Sequence, residues 1–299
     1  MQNPEPSKSR GHQVERADQG EKLAPGLYFV ATPLGNARDI TLRALDILNG
    51  AEVLAAEDTR RLRQLMDIHG VALAGRRILA YHDHNGAAVR PGLLAALAEG
   101  KSVAYASDAG SPLVADPGFA LARDAIAAGA VVMSIPGPSA VVAALTVAGL
   151  PTDRFTFAGF PPSGEAARKS FFETLASSPG TLVIYESPKK IAASLAAAAK
   201  TLGEDRPAVL ARELTKKFEE VRRGTLADLI KGVANDPPRG EIVLCIGEGA
   251  HVVDQQALEA ALKTAMKDMR LKDAAREVAD AFGVSKREVY QLGLSFPNL

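Results

Sequence analysis

The chain has 299 residues, 47% of them apolar and 23% charged, and at this length a single core stops growing, so two domains are expected. Its 35 Lys and Arg are matched by 35 Asp and Glu, which excludes a global attraction to polyanions and leaves any nucleic-acid partner to a local basic patch. No apolar run approaches the roughly 18 residues of a membrane span, so a soluble chain with no membrane partner is expected.

Residues 1–22 are polar, charged and without apolar periodicity, the composition of a disordered extension that buries too little to offset its ordering entropy. From Leu27 onward, apolar runs at 27–31, 53–56, 78–80, 102–106 and 131–135 alternate with helical patterns at 40–48, 89–99 and 119–128. This alternation predicts a mainly parallel sheet covered on both faces, in a first α/β domain over 23–151. Further strands start at Phe155 and run over 181–185, 208–211 and 241–246, separated by helices over 166–175 and 188–202. They predict a second α/β domain with a mixed sheet over 152–250. The one cysteine, Cys245, excludes an intrachain disulfide and a Cys-rich zinc site; with no secretory pattern at the start, a reducing, cytoplasmic compartment is expected. The remainder, 251–299, is helical in pattern. Its 271–290 stretch reads as two amphipathic helices joined by Phe-Gly-Val-Ser, with Ser285 placed to cap the second, which is a helix-turn-helix pattern.

Several segments put Gly, Pro and small polar residues directly after a strand, where open α/β sheets hold ligands. After the first comes Thr32-Pro-Leu-Gly-Asn-Ala-Arg-Asp39, with Asp39 as the expected cap of the next helix. Ser107 to Gly118 follows the fourth and matches neither a phosphate-binding Gly-x-x-x-x-Gly-Lys nor a Gly-x-Gly-x-x-Gly turn. A rigid, Pro-fixed backbone of this kind suits an amino-acid zwitterion and a ribose better than a polyphosphate. Pro136-Gly-Pro-Ser-Ala140 is a short turn into a helix. Ala56-Glu-Asp-Thr-Arg60 sets two carboxylates, a hydroxyl and a guanidinium at a strand end, for proton transfer or for a structural ion pair. Tyr81-His-Asp-His-Asn85 brings two imidazoles together, but no third ligand cluster follows, so polar substrate contacts are expected and metal is not.

These segments, together with Tyr185-Glu-Ser-Pro188 and Ala211-Arg-Glu-Leu-Thr-Lys216, closely resemble the methyltransferase I family of small-subunit ribosomal RNA, within the tetrapyrrole methylase superfamily. The likeness runs in order from about Gly26 to the C-terminus. Two departures stand out: Gly86 where the family carries Glu, and Ser111 where it carries Thr. The resemblance implies two α/β domains with S-adenosylmethionine in the cleft between them, plus the helical tail. It also implies a homodimer that transfers a methyl group to the 2′-hydroxyl of a cytidine in the decoding region of 16S rRNA, with free rRNA or the small ribosomal subunit as partner.

By the same resemblance, Pro33, Ser107, Asp108, Gly110, Ser111, Pro112, Pro136, Ser139, Ala140, Phe160 and Glu241 are expected at the cofactor, with Phe160 and Glu241 coming from the second domain. Asp108 and Asp116 are alternatively there to hold their loop. Glu57 or Asp58 is expected to take or orient the hydroxyl proton, His82 and His84 being the rival bases, with Arg60 and Lys189 on neighbouring phosphates. Arg61, Arg63, Lys189 and Lys216 are the expected RNA contacts, while the tail either grips RNA or packs on the core or a dimer partner. Two other readings stay open: a tetrapyrrole C-methyltransferase, which has no use for basic runs or such a tail, and a helix-turn-helix regulator whose α/β body senses a small ligand.

Overall fold

A computed structural model describes residues 23–115, 117–249, 255–282 and 284–296; the expected extension over 1–22 and Asp116 lie outside these. The runs rich in Val, Ile, Leu and Ala form β1 (Gly26–Val30), β2 (Val53–Ala56), β3 (Ile78–Ala80), β4 (Ser102–Ala106) and β5 (Val132–Ile135). They make one sheet in the order β3-β2-β4-β1-β5, and each neighbouring pair is parallel.

Side chains alternate across a strand, and β1 shows both faces in use. Tyr28 and Val30 pack with Ala44, Ile47 and Leu48 of α1 (Leu42–Gly50) and with Leu62 and Met66 of α2 (Thr59–Ile68). Leu27 and Phe29 pack with Leu93 of α3 (Gly86–Ala98) and with Leu121 and Ala125 of α4 (Phe119–Ala127). Helices on both faces are the expected cover of a parallel sheet. α5 (Ala140–Ala148) follows β5 and buries Val141, Ala144 and Leu145.

Asp39 does not cap α1. Residues Ala37–Asp39 form a short 3-10 turn, Ile40 is extended, and the Thr41 hydroxyl accepts the bond from the Ala44 amide at 3.2 Å, which starts the helix at Leu42. Two helical starts went unread in the sequence. α2 is one, and α8 (Leu226–Asn235) is the other, opened by a reciprocal capping box between Thr225 and Asp228.

The second sheet contains β6 (Phe155–Phe157), β7 (Thr181–Glu186), β8 (Pro207–Arg212), β9 (Glu220–Thr225) and β10 (Ile242–Ile246), in the order β6-β7-β10-β8-β9, with β6 and β7 parallel. Helices α6 (Glu165–Leu175) and α7 (Ile191–Leu202) pack on each other, and α7 packs on α8. Burial pushes the Cys245 thiol up to about 12, so no reactive thiolate forms there near neutral pH.

The tail forms α9 (Gln255–Ala265), α10 (Leu271–Phe282) and α11 (Lys286–Leu294) around Leu258, Leu262, Ala274, Val278 and Val289. Ser285 sits at the N-cap of α11 without a side-chain capping bond. A Cβ at Gly293 would come 2.2 Å from Leu271 Cδ1, so α10 and α11 pack closely there and a larger residue would have to displace that leucine side chain.

Two compact units result. Among the described residues, one holds those up to Gly149 together with Ala211–Val221 and Arg239–Val243; the other holds Leu150–Leu210, Arg222–Pro238 and those from Leu244 onward. No described helix is long and apolar enough to cross a membrane.

Candidate active site

Strand register gathers the post-strand segments of the first unit. Ala56 stands beside Ala80 and Ala106, and Val30 beside Ala106 and Ile135. The next residues, Tyr81, Glu57, Ser107, Ala31 and Pro136, therefore leave the sheet at one carboxyl edge, the edge where open α/β sheets bind ligands.

Hydrogen bonds tie these loops to one another. Thr32 and Gly110 exchange backbone bonds of 3.0 and 2.9 Å. The Thr32 hydroxyl donates to the Ser107 carbonyl at 3.0 Å, and the Ser107 hydroxyl to the Gly110 carbonyl at 2.6 Å. Ser111 donates to the Pro138 carbonyl at 3.1 Å. The hydroxyls of Thr32 and Ser111 thus hold the loops of β1, β4 and β5 together, while that of Ser107 closes its own loop. Pro112 follows, half-buried. Leu113 and Ala115 take left-handed backbone conformations at φ 69° and 60°, strain of the kind that collects at functional sites and persists only where surroundings impose it. A Cβ on Gly137 would lie 2.9 Å from the Ala31 Cβ, so the loops after β1 and β5 approach more closely than any side chain at 137 permits.

Between the loops and α2 lies a pocket of about 350 Å³, within the range of small-molecule sites. Pro33, Ser107, Asp108, Arg61, Lys216 and Glu241, all expected in one site or the other, line it together. Thr32, Leu34 and Gly35, from the segment singled out after β1, line it as well, together with Gln64, Leu65 and Ile68, which sequence reading missed. The signal lay in α2: Arg61, Leu65 and Ile68 are spaced to share one helical face. Glu241 and Lys216 group with the first unit, not with the second domain from which Glu241 was expected. The Lys216 ammonium donates to Glu213 at 2.9 Å and to Glu241 at 3.1 Å. A Cβ on Gly35 would fall 2.2 Å from Lys216 Cγ, so glycine at 35 is what lets Lys216 reach this wall.

The adjacent carboxylates Glu57 and Asp58 have opposite environments. Asp58 is the N-cap of α2: it accepts from the Arg60 amide at 2.8 Å and from the Arg60 guanidinium at 3.1 and 2.7 Å. The Arg60 side chain and amide hold its carboxyl far below the usual range. Glu57 is half-buried, and burial, followed by the negative charges of Asp108 and Asp83, raises its pKa against the opposing pull of Arg61 and His82. Asp108 secures this corner by accepting from the Asp58 amide at 2.8 Å, with Arg61 at 3.6 Å. A carboxyl raised in this way suits proton transfer near neutral pH, whereas one held low does not.

His82 lies in the turn after β3, where its amide donates to Asn85 Oδ1 at 2.8 Å, and its buried Nδ1 has no partner. His84 is exposed, with its ring 6.0 Å from that of His82. No group of three or more potential metal ligands exists among the described residues. Ser139 is the N-cap of α5 but makes no side-chain capping bond, and Ala140 is the first residue of that helix. Arg63 pairs with Asp67 one turn along α2 at 3.0 Å. Phe160 and Lys189 belong to the second unit: Phe160 sets its ring edge-to-face at 5.5 Å from Tyr185, and Lys189 is exposed after β7.

Residues 26–230 match the family of tetrapyrrole (corrin/porphyrin) methylases, and 252–296 match the RsmI C-terminal HTH domain. The chain is 48% identical over 271 residues to the ribosomal RNA small subunit methyltransferase I of Mesorhizobium japonicum, covering 90% of this chain and 91% of that protein. It is 40% identical over 288 residues to the Escherichia coli O157:H7 protein of the same name, covering 95% and 98%. Uroporphyrin-III-C-methyltransferase from Thermus thermophilus, at 23% identity and a TM-score of 0.52 over 75% of this chain and 94% of its own, shares the fold. The chain belongs to the tetrapyrrole methylase family and, within it, to the ribosomal RNA small subunit methyltransferase I family.

Proposed function

We propose that this chain methylates small-subunit ribosomal RNA from S-adenosylmethionine, at the 2′-hydroxyl of a cytidine, and that it acts as a homodimer in the cytoplasm. The observation that carries the reading is the 48% identity to a small-subunit rRNA methyltransferase over 90% of the chain. The match of the tail to the RsmI C-terminal HTH domain favours RNA over a macrocycle.

The carboxyl edge of the first sheet fits the cofactor on two counts. Its pocket joins apolar Pro33 and Leu34 to polar Ser107 and Asp108 without a phosphate-binding loop, and the nearby Glu57, Asp108 and Glu241 carboxylates offset a sulfonium charge. The cofactor supplies a methyl already activated on sulfur. What the chain adds is alignment and proton handling. Glu57 would accept the proton of the ribose hydroxyl, whose oxygen would take the methyl as the carbon–sulfur bond breaks and the sulfonium leaves as a neutral thioether. Asp58 caps α2 and thereby fixes Arg61 and Leu65 on the pocket wall.

Labelled cofactor, incubated separately with undermodified small subunits, naked rRNA and DNA, tests the reading. Label should enter only the RNA samples, at one alkali-resistant cytidine. Label at a base, or none in any RNA, would overturn it.

A further inference from the structure

The outer side of α2 carries a second concavity, a groove of about 890 Å³ on the first unit. Arg60, Arg63, Arg76 and Arg77 line it, in a chain whose net charge is zero. We propose that this groove holds the ribose-phosphate backbone of single-stranded RNA on one side of the target nucleotide. The inference rests on the reading above and extends it to the track along which the substrate lies.

Three observations support it. First, the cations are incompletely neutralised. Arg60 and Arg63 have Asp58 and Asp67 as partners. Arg76, however, spends its donors on four carbonyls, those of Leu73, Leu48, Ala51 and Ala72 at 2.6 to 2.9 Å, and pairs with no acid among the described residues. Arg77 is exposed and pairs with no acid among the described residues. Arg76 is thus a positive charge fixed in place and Arg77 an exposed one, and both favour phosphates beside them.

Second, the groove is not polar throughout. Ile68, 58% exposed, lines it together with the cations. Single-stranded nucleic acid offers an anionic backbone beside bases with apolar faces, and a positively charged groove that tracks the backbone is how proteins hold it; the apolar surface beside the cations here is aliphatic. A small anion has no use for the exposed isoleucine.

Third, the groove joins the active-site pocket. Gln64 and Ile68 line both. A strand lying in the groove therefore runs along one helix toward the mouth of the cofactor pocket, where the target ribose has to meet the methyl group.

The test measures binding without cofactor, so that it stands apart from methyl transfer. A single-stranded RNA oligonucleotide is titrated against the full-length chain over a range of salt concentrations. The double variant Arg63→Gln/Arg77→Gln should weaken binding roughly tenfold near 0.1 M salt and make the slope of log affinity against log salt shallower by about 1.4, the share of two phosphate contacts on a single strand. Asp67→Asn, which frees Arg63, should bind RNA more tightly and with a steeper slope, an outcome that a merely structural role for α2 does not produce. Calorimetry should give unchanged affinity for S-adenosylmethionine in both variants. Should the double variant fail to fold, Arg77→Gln alone, with no bond to lose, carries the test. Wild-type affinity and slope in the arginine variants would overturn the groove. Absence of methyl transfer by the wild-type chain would instead overturn the reading on which it rests, with the binding result still standing by itself.

Discussion

The two ends of the first sheet are built on different physics. At the amino end, α4 closes on Gly129, whose amide bonds the Ile126 carbonyl at 3.0 Å while the next amide, of Ala130, bonds the Ala125 carbonyl at 3.0 Å. This is a Schellman closure. Gly129 has φ 77°, and a Cβ there would meet nothing within 4 Å. At the carboxyl end, Gly137 is required for space, since its missing Cβ is what lets Ala31 approach. One glycine answers to backbone conformation and the other to a neighbour. The side chains divide in their own way: at the amino end the Glu52 and Ser102 side chains each accept from the other's amide and fix the strand starts, whereas at the carboxyl end the Thr32 and Ser111 hydroxyls bond across loops beside a pocket that Asp108 lines. Only the carboxyl end is organised for chemistry.

Substitutions should follow that division. The largest effect is expected at Glu57: Glu57→Gln should slow single-turnover methyl transfer by roughly 10²–10⁴-fold, the usual worth of a general base. Stability should move the other way. A carboxyl with a raised folded-state pKa favours its neutral form, so its charge disfavours the fold once the pH rises past the ordinary glutamate range. Glu57→Gln should therefore keep or raise the melting temperature at neutral pH while activity is lost. Gly137→Ala comes next. Overpacking against Ala31 should cost about 1–3 kcal/mol, read as a lower melting temperature together with weaker cofactor binding in calorimetry. Gly129→Ala, at the opposite end, should cost about 1–2 kcal/mol for the left-handed backbone and leave cofactor affinity unchanged. Asp58→Ala should have the smallest effect on rate: it removes a cap and an exposed ion pair, so a modest loss of stability is expected. That part of the stability is present above the ordinary aspartate range and is lost as the pH falls toward the depressed folded-state value. Should Asp58→Ala abolish transfer while Glu57→Gln does not, the roles of the two carboxylates are exchanged.

The first sheet was legible because its strands are short apolar runs broken by amphipathic helices, a pattern that burial on both faces imposes. β9 was not legible: Glu-Val-Arg-Arg-Gly-Thr alternates no apolar face, and its residues are at most half-buried. α2 was overlooked for a different reason. Its arginines dominate the string from Thr59 to Ile68, although Asp58 as cap and Leu62 and Met66 as buried positions were present to be read. With α2 unseen, the pocket wall formed by Gln64, Leu65 and Ile68 had no place in the site. The motif loops were visible as chemistry but not as one site, because only the register of β3, β2, β4, β1 and β5 brings Glu57 beside Ser107 and both near His82. Which of two adjacent carboxylates is free for proton transfer was beyond sequence altogether, since it depends on which one Arg60 grips.

The most direct test is the pH–rate profile of single-turnover methyl transfer to undermodified small subunits at saturating S-adenosylmethionine, for the wild-type chain and Glu57→Gln. The wild-type rate should fall on the acid side through a single ionisation above the ordinary glutamate range, and that limb should vanish in a much slower Glu57→Gln. A Glu57→Gln enzyme with wild-type rate and the same acid limb would contradict the assignment of proton transfer to Glu57.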